Sequence, residues 1–317
     1  MAIKNEQSKN VTRNVLGNYM LELGKRNNKI VVINADLMFT CRNKSFVEVF
    51  PERSFNVGIA EQNMVSFAAG LAHEGFMPFV FSMSQFISMR ACEQVRTDVA
   101  YANLPVCFVT CYAGVSGGIC GATHWAIEDC AIVSAMPNMA VFEPSDATQA
   151  KKMLDYSLEY KKPLYIRSAV QAVTDKYDET CKVVIGGSIV AREGNDGAYL
   201  CSGIVVQFAL EAAERIAEKT GKQIRVVDMY SIKPVDTDAV IAASKTGNVV
   251  VAQDHVMIGG LGTMVASVIA ENKLQTNFKI LGVPDYFETM AHAPYLYHKF
   301  GFDADGLENC MLNMLSL

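Results

Sequence analysis

Phe55-Asn-Val-Gly-Ile-Ala-Glu-Gln-Asn-Met-Val65 reads as a strand, a glycine and the opening of a helix, with Glu61 in the helix's first turn and small or apolar residues on both sides. Taken alone, an acid at this place is what the helix macrodipole favours. The same alternation of strand and helix extends in both directions. Upstream, residues 12–25 have the period of an amphipathic helix, and Ile30-Val-Val-Ile-Asn34 is a short apolar run of the buried-strand type. Downstream, the pattern predicts a helix over 61–74 with an Ala/Gly-rich face, a strand over 76–81, a helix over 85–101 and a strand over 104–111. That strand runs into a glycine-rich loop, Ala113-Gly-Val-Ser-Gly-Gly-Ile-Cys-Gly121. A strand at 139–142, a helix at 146–160 and a strand at 164–166 complete a first domain, taken as residues 1–171.

Over 172–197 the pattern weakens to polar turns and a hairpin at 182–192, read as a linker. A second domain, 198–317, restarts the alternation, with strands at 198–201, 223–227, 248–252 and 278–281 and helices at 204–220 and 262–271. Such a pattern predicts an α/β fold of two domains, each a mostly parallel sheet flanked by helices.

Composition narrows the function. The chain has 317 residues, half of them hydrophobic, but no apolar run approaches the roughly 18 residues of a membrane span. The net charge of -5 supplies no basic stripe, so neither a membrane nor a nucleic acid is expected as partner. Residues 1–10 are polar and mixed in charge, without the apolar block of a secretory signal, and a cytoplasmic location is expected. The nine cysteines include no C-x-x-C pair, and His124 has no second histidine nearby. They are read as reduced, buried small hydrophobes, with no metal ligands in this chain.

Gly58-Ile-Ala-Glu-Gln62, followed by Ala68-Ala-Gly-Leu-Ala72 and Gly75-Phe-Met-Pro78, resembles the pyrimidine-domain motif of thiamine-diphosphate enzymes. Transketolases, 1-deoxyxylulose-5-phosphate synthases and the beta subunits of 2-oxoacid dehydrogenases share it. The resemblance makes Glu61 the residue that hydrogen-bonds the N1′ nitrogen of the cofactor's aminopyrimidine and, with it, the proton contact that activates the thiazolium carbon. A carboxyl group buried against an apolar ring holds a proton more readily, which suits that role.

Further motifs select the branch. Residues 12–21 resemble the family's opening helix. Asn34-Ala-Asp-Leu37 matches a segment whose aspartate and leucine, here Asp36 and Leu37, approach the cofactor. Gly121-Ala-Thr-His124 matches transketolases and deoxyxylulose-phosphate synthases, not the His-Ser-Gln-Ser of the dehydrogenases, and makes His124 a hydrogen-bond partner for the substrate's oxygens. Phe86 falls on the aromatic that stacks on the pyrimidine, and Met83 stands where many members carry a neighbouring aromatic. In the second domain, Asp254-His255 and Gly259-Gly-Leu-Gly262 resemble the family's C-terminal domain, where the glycines serve turns and close packing.

The departures matter as much. No Gly-Asp-Gly occurs in the sequence, although the family holds the diphosphate through a metal bound by that motif. The resemblance therefore implies a split enzyme: an N-terminal subunit supplies the diphosphate domain and its Mg2+ or Ca2+, thiamine diphosphate is shared between subunits, and the assembly is α2β2. Ile119 and Cys120 replace two acids, Tyr112 stands in the place of a phosphate-binding histidine, and Val170 in that of a phosphate-binding arginine. Arg13 is kept, and Arg167 matches an arginine of the split and synthase-like branch. Arg13, Tyr112, Cys120 and Arg167 are thus the substrate-facing candidates. The loss of two cationic anion contacts points away from the usual sugar phosphates.

The activity implied is transfer of a two-carbon ketol unit from a ketose to an aldose. The alternatives are a dehydrogenase beta subunit, a deoxyxylulose-phosphate-synthase-like enzyme and a non-catalytic regulatory paralogue.

Overall fold

A computed structural model describes residues 9–316 of the chain; the segment 1–8, where most of the reading against a secretory signal falls, lies outside the described residues. The largest sheet has seven strands, in spatial order Ser231–Lys233, Ala140–Phe142, Leu164–Ser168, Cys107–Cys111, Met77–Met83, Ile30–Asn34 and Ser54–Asn56. Six of these are mutually parallel. The central strands are mostly apolar and buried along their whole length, as parallel strands covered by helices must be. A second sheet of five strands orders Asn277–Val283, Asn248–Val256, Gly197–Cys201, Ile224–Asp228 and Ile189–Arg192, and Lys9–Val11 pairs with Ala172–Thr174 as a separate two-stranded ribbon. In the five-stranded sheet only the last strand is antiparallel.

Two connections differ from the sequence pattern. The hairpin expected at 182–192 is a single edge strand, Ile189–Arg192, which pairs with Ile224–Asp228 in the second sheet. Hydrogen bonding to a non-local strand, invisible in local periodicity, decides this. Conversely, Ser231–Lys233, deep within the second domain's sequence, pairs antiparallel with Ala140–Phe142 and completes the first sheet. The helix expected over 85–101 is present but wound more widely: Phe86–Arg90 and Val95–Tyr101 are π-helical, joined by Cys92–Gln94. The Ala91 N–H reaches back to the Phe86 carbonyl at 3.1 Å. Wide turns of this kind concentrate at functional sites.

One hydrophobic cluster runs through both the seven-stranded and the five-stranded sheet. Ile33, Val80, Val141 and Tyr165 of the first belong to one cluster with Ala198, Leu200, Val227 and Val249 of the second. Asp146 caps the helix Ala147–Tyr160 by accepting from the Gln149 N–H at 2.8 Å. Glycines of the 259–262 string allow close approach: a Cβ at Gly262 would lie 2.6 Å from the Ile280 side chain, and one at Gly259 2.4 Å from that of Ala131. Among the described residues, no helix is long and apolar enough to cross a membrane.

Candidate active site

Ligand-binding residues of an open parallel sheet gather beyond the carboxyl ends of its strands, and the candidates follow that rule. Asp36 lies beyond Ile30–Asn34, Glu61 beyond Ser54–Asn56, Phe86 beyond Met77–Met83, and Tyr112 with the glycine-rich loop beyond Cys107–Cys111. Asn56, not singled out in the sequence, ties two of these ends together. Its side chain accepts from the backbone N–H of Asp36 at 2.9 Å and of Gly58 at 3.2 Å, which fixes the turn leading to Glu61. Asp36 and Tyr112 both have left-handed backbone, φ 60° and 64°. For a bulky tyrosine this is an uncommon conformation of a kind that clusters at ligand sites.

Glu61 opens the helix Glu61–His73 and is 1 % exposed, although acids seldom tolerate burial without a partner. Its partner is Arg90, whose Nη1 donates to Oε2 at 2.6 Å. The Arg90 guanidinium carbon also lies 4.3 Å from the centre of the Phe86 ring. Phe86 meets His124 edge-on, with ring centres 5.9 Å apart, and the His124 Nδ1 is 2.8 Å from the Thr123 hydroxyl. Glu61, Arg90, Phe86 and His124 thus form one contiguous group. Arg90 was missed in the sequence; the signal that could have found it is its spacing of four residues from Phe86 on one helical face.

A second group lies one strand further along. Met83 pairs in register with Cys111, and Tyr112 follows. The Arg13 guanidinium carbon lies 5.9 Å from the centre of the Tyr112 ring. Burial is the main cause that raises the Tyr112 pKa above its ordinary value, a nearby Cys120 adds to it, and Arg13 opposes it. Cys120 is exposed, and Leu37 is half-buried at the start of the short helix Met38–Cys41. Asp36 also borders a separate cavity of about 240 Å3 together with Met38, Phe39 and Phe55, which Glu61 and Phe86 do not line.

Arg167 corrects the expectation of a substrate contact. It is fully buried, and its donors are taken within the chain. Nε and Nη2 grip the Asp129 carboxylate at 3.0 Å each, Nη1 meets Glu143 at 2.8 Å, and Nη2 also reaches the carbonyls of Ala126 and Asp254. Glu143 in turn accepts from Ser202 and Gln253 of the second domain. Arg167 is therefore the centre of a polar junction between the domains, with no donor turned to the pocket. Asp129, Cys130 and His255 offer ligand atoms within 4.8 Å of one another at this junction. Asp129 is committed to Arg167 and Tyr165, however, and the His255 Nε2 faces the Ala131 N–H at 3.3 Å.

The junction also holds the glycine-rich loop. Asp254 Oδ1 accepts from the Val115 N–H at 2.8 Å, and a Cβ at Gly114 would lie 2.0 Å from the Asp254 carboxyl carbon, so only glycine fits there. Burial pushes the Asp254 pKa up to about 7, so the folded protein keeps this proton where the unfolded chain, ionising near about 4, has lost it. The folded state then binds more protons between those values, and stability falls as pH rises through them. Asp254→Asn cannot ionise, and we expect its urea midpoint to fall less than the wild-type midpoint between about pH 5 and about pH 8. Equal falls would show that Asp254 does not titrate in this window.

Comparison with known proteins gives the family of the chain. Residues 8–176 match the model of the transketolase pyrimidine binding domain, and residues 186–307 that of the transketolase C-terminal domain. The chain is 39% identical over 293 residues to the putative transketolase C-terminal section of Methanocaldococcus jannaschii, covering 92% of each. It is 37% identical over 286 residues to the 6-deoxy-6-sulfo-D-fructose transketolase subunit SqwH of a Clostridium species, covering 90% of this chain and 88% of the relative. Among solved structures, a split gene transketolase described as an inactive beta4 tetramer superposes with a TM-score of 0.86 at 36% identity, covering 97% of this chain and 98% of that one. With both family domains matched in order along one continuous fold, the chain belongs to the transketolase family, of which it carries the pyrimidine-binding and C-terminal domains.

Proposed function

We propose that the chain is the C-terminal subunit of a split, thiamine-diphosphate-dependent transketolase that moves a two-carbon ketol unit from a ketose to an aldose. The observation that carries this is the buried Glu61 carboxylate, joined through Arg90 to the Phe86 ring and, beyond that ring, to His124, past the carboxyl ends of a parallel sheet. The donor set fits the pyrimidine end of the cofactor: a carboxylate out of water for a ring nitrogen, and an aromatic face for the ring. Bound thiamine diphosphate supplies the carbon nucleophile. Glu61 holds the proton at the ring nitrogen, and Phe86 fixes the ring plane, an offset stack contributing about 0.5–1.5 kcal/mol beyond area burial. His124 orients a substrate oxygen, and Asp36, Leu37 and Met83 close the cofactor's flank.

The diphosphate and its divalent metal, Mg2+ or Ca2+, belong in this reading to a partner N-terminal subunit, in an α2β2 assembly. A related split-gene protein described as an inactive beta4 tetramer is in keeping with a subunit that needs such a partner. Arg13, beside Tyr112, which the exposed Cys120 also neighbours, takes the far end of the substrate. A relative named for 6-deoxy-6-sulfo-D-fructose supports a sugar other than the common phosphates.

Reconstitution with a chain carrying the diphosphate domain tests the activity: ketol transfer that requires both chains and thiamine diphosphate is expected. In the same assay, xylulose 5-phosphate with ribose 5-phosphate is expected to be a poor pair. Efficient turnover of both would remove the unusual-sugar reading while leaving the transferase intact.

A further inference from the structure

The contacts that Glu61 and Phe86 are proposed to give the cofactor's ring are both held by Arg90. Its guanidinium is flat, delocalised and edged with N–H donors. It donates to the Glu61 carboxylate at 2.6 Å, and its central carbon lies 4.3 Å from the centre of the Phe86 ring. A flat nitrogen-bearing group bonded to Glu61 and laid over Phe86 is also what an aminopyrimidine would be.

The two sides of the pair differ in their setting. Glu61 is 1 % exposed on its side chain and Arg90 45 %. A buried carboxylate without a partner is costly, so Glu61 needs Arg90 for as long as nothing else occupies the site. The guanidinium, half in water, can leave for solvent at little cost. The π-helical turn Phe86–Arg90 carries both the aromatic and the cation that covers it.

We propose that Arg90 is an internal stand-in for the aminopyrimidine, closing the ring site of the free subunit and leaving it as the cofactor seats. The proposal rests on the reading of Glu61 and Phe86 as ring contacts. It makes cofactor entry an exchange of one ligand of Glu61 for another, so that the carboxylate is never left unpaired.

The test uses the full chain alone and the hydroxymethyl-aminopyrimidine half of thiamine as probe, with affinity read by calorimetry or ligand-observed NMR. Arg90→Met is expected to bind the probe at least about tenfold more tightly than wild type, a competing charge-assisted contact having been removed. The gain is expected to vanish in Arg90→Met combined with Glu61→Gln. Should the first variant fail to fold, Arg90→Lys keeps a cation near Glu61 but lacks the flat face over Phe86, and is expected to gain about threefold. Equal affinities for wild type and the Arg90 variants, all lost on Glu61→Gln, would overturn the stand-in and spare the role of Glu61. A gain that survives Glu61→Gln would overturn both. Absence of binding in every variant would also overturn the stand-in, because removing the guanidinium should have opened the site.

Discussion

Replacing Glu61 by glutamine is expected to lower ketol transfer by the reconstituted enzyme at least about 100-fold while leaving assembly nearly intact. Glutamine keeps the length of the side chain, and its carbonyl still accepts a hydrogen bond from Arg90, so the helix opening at Glu61 and its burial should persist. What it lacks is a site that takes and returns a proton. The readouts separate these effects: turnover reports the proton contact, and sedimentation of the mixed subunits reports assembly. Near-normal turnover would contradict the role given to this carboxylate. Loss of assembly together with turnover would place Glu61 at the subunit contact instead.

Arg167→Met is expected to be the most destabilising single change considered, by about 3–5 kcal/mol in urea unfolding. The side chain is 0 % exposed, and its removal strands the Asp129 and Glu143 carboxylates out of water. Neutralising both acids as well, with Asp129→Asn and Glu143→Gln, is expected to restore part of the loss, because the cost comes mostly from unpaired charge. A loss below about 1 kcal/mol for the single variant would mean that water reaches the junction.

The alternation of periods was sufficient to recover the α/β class and the principal strands, since runs such as Ile30-Val-Val-Ile-Asn34 are buried on both faces and carry that fact in their composition. Helices Thr237–Ser244, Ala293–Phe300 and Ala304–Met314 were not read; the first and second are only 8 residues each and take their place from packing more than from period. Ser231–Lys233 was hidden for a related reason: a three-residue strand is defined by the edge it meets.

A resemblance singled out Glu61, Phe86 and His124 as candidates, and the fold brings them into one group with Arg90. Arg167 shows the limit of that approach. A motif match gives a position on a strand, whereas side-chain direction depends on which acids the second domain brings opposite, here through Glu143 and its partners. Arg90 escaped because its meaning comes from a pairing across 29 residues of sequence.

The strand that Ser231–Lys233 contributes across the domain boundary limits how this gene can be dissected. A fragment ending near residue 176, where the first family match stops, would leave Ala140–Phe142 as a raw sheet margin with unsatisfied amides. Such a piece would be prone to stick to copies of itself. Any engineered fusion or truncation should treat the two halves as one folding unit.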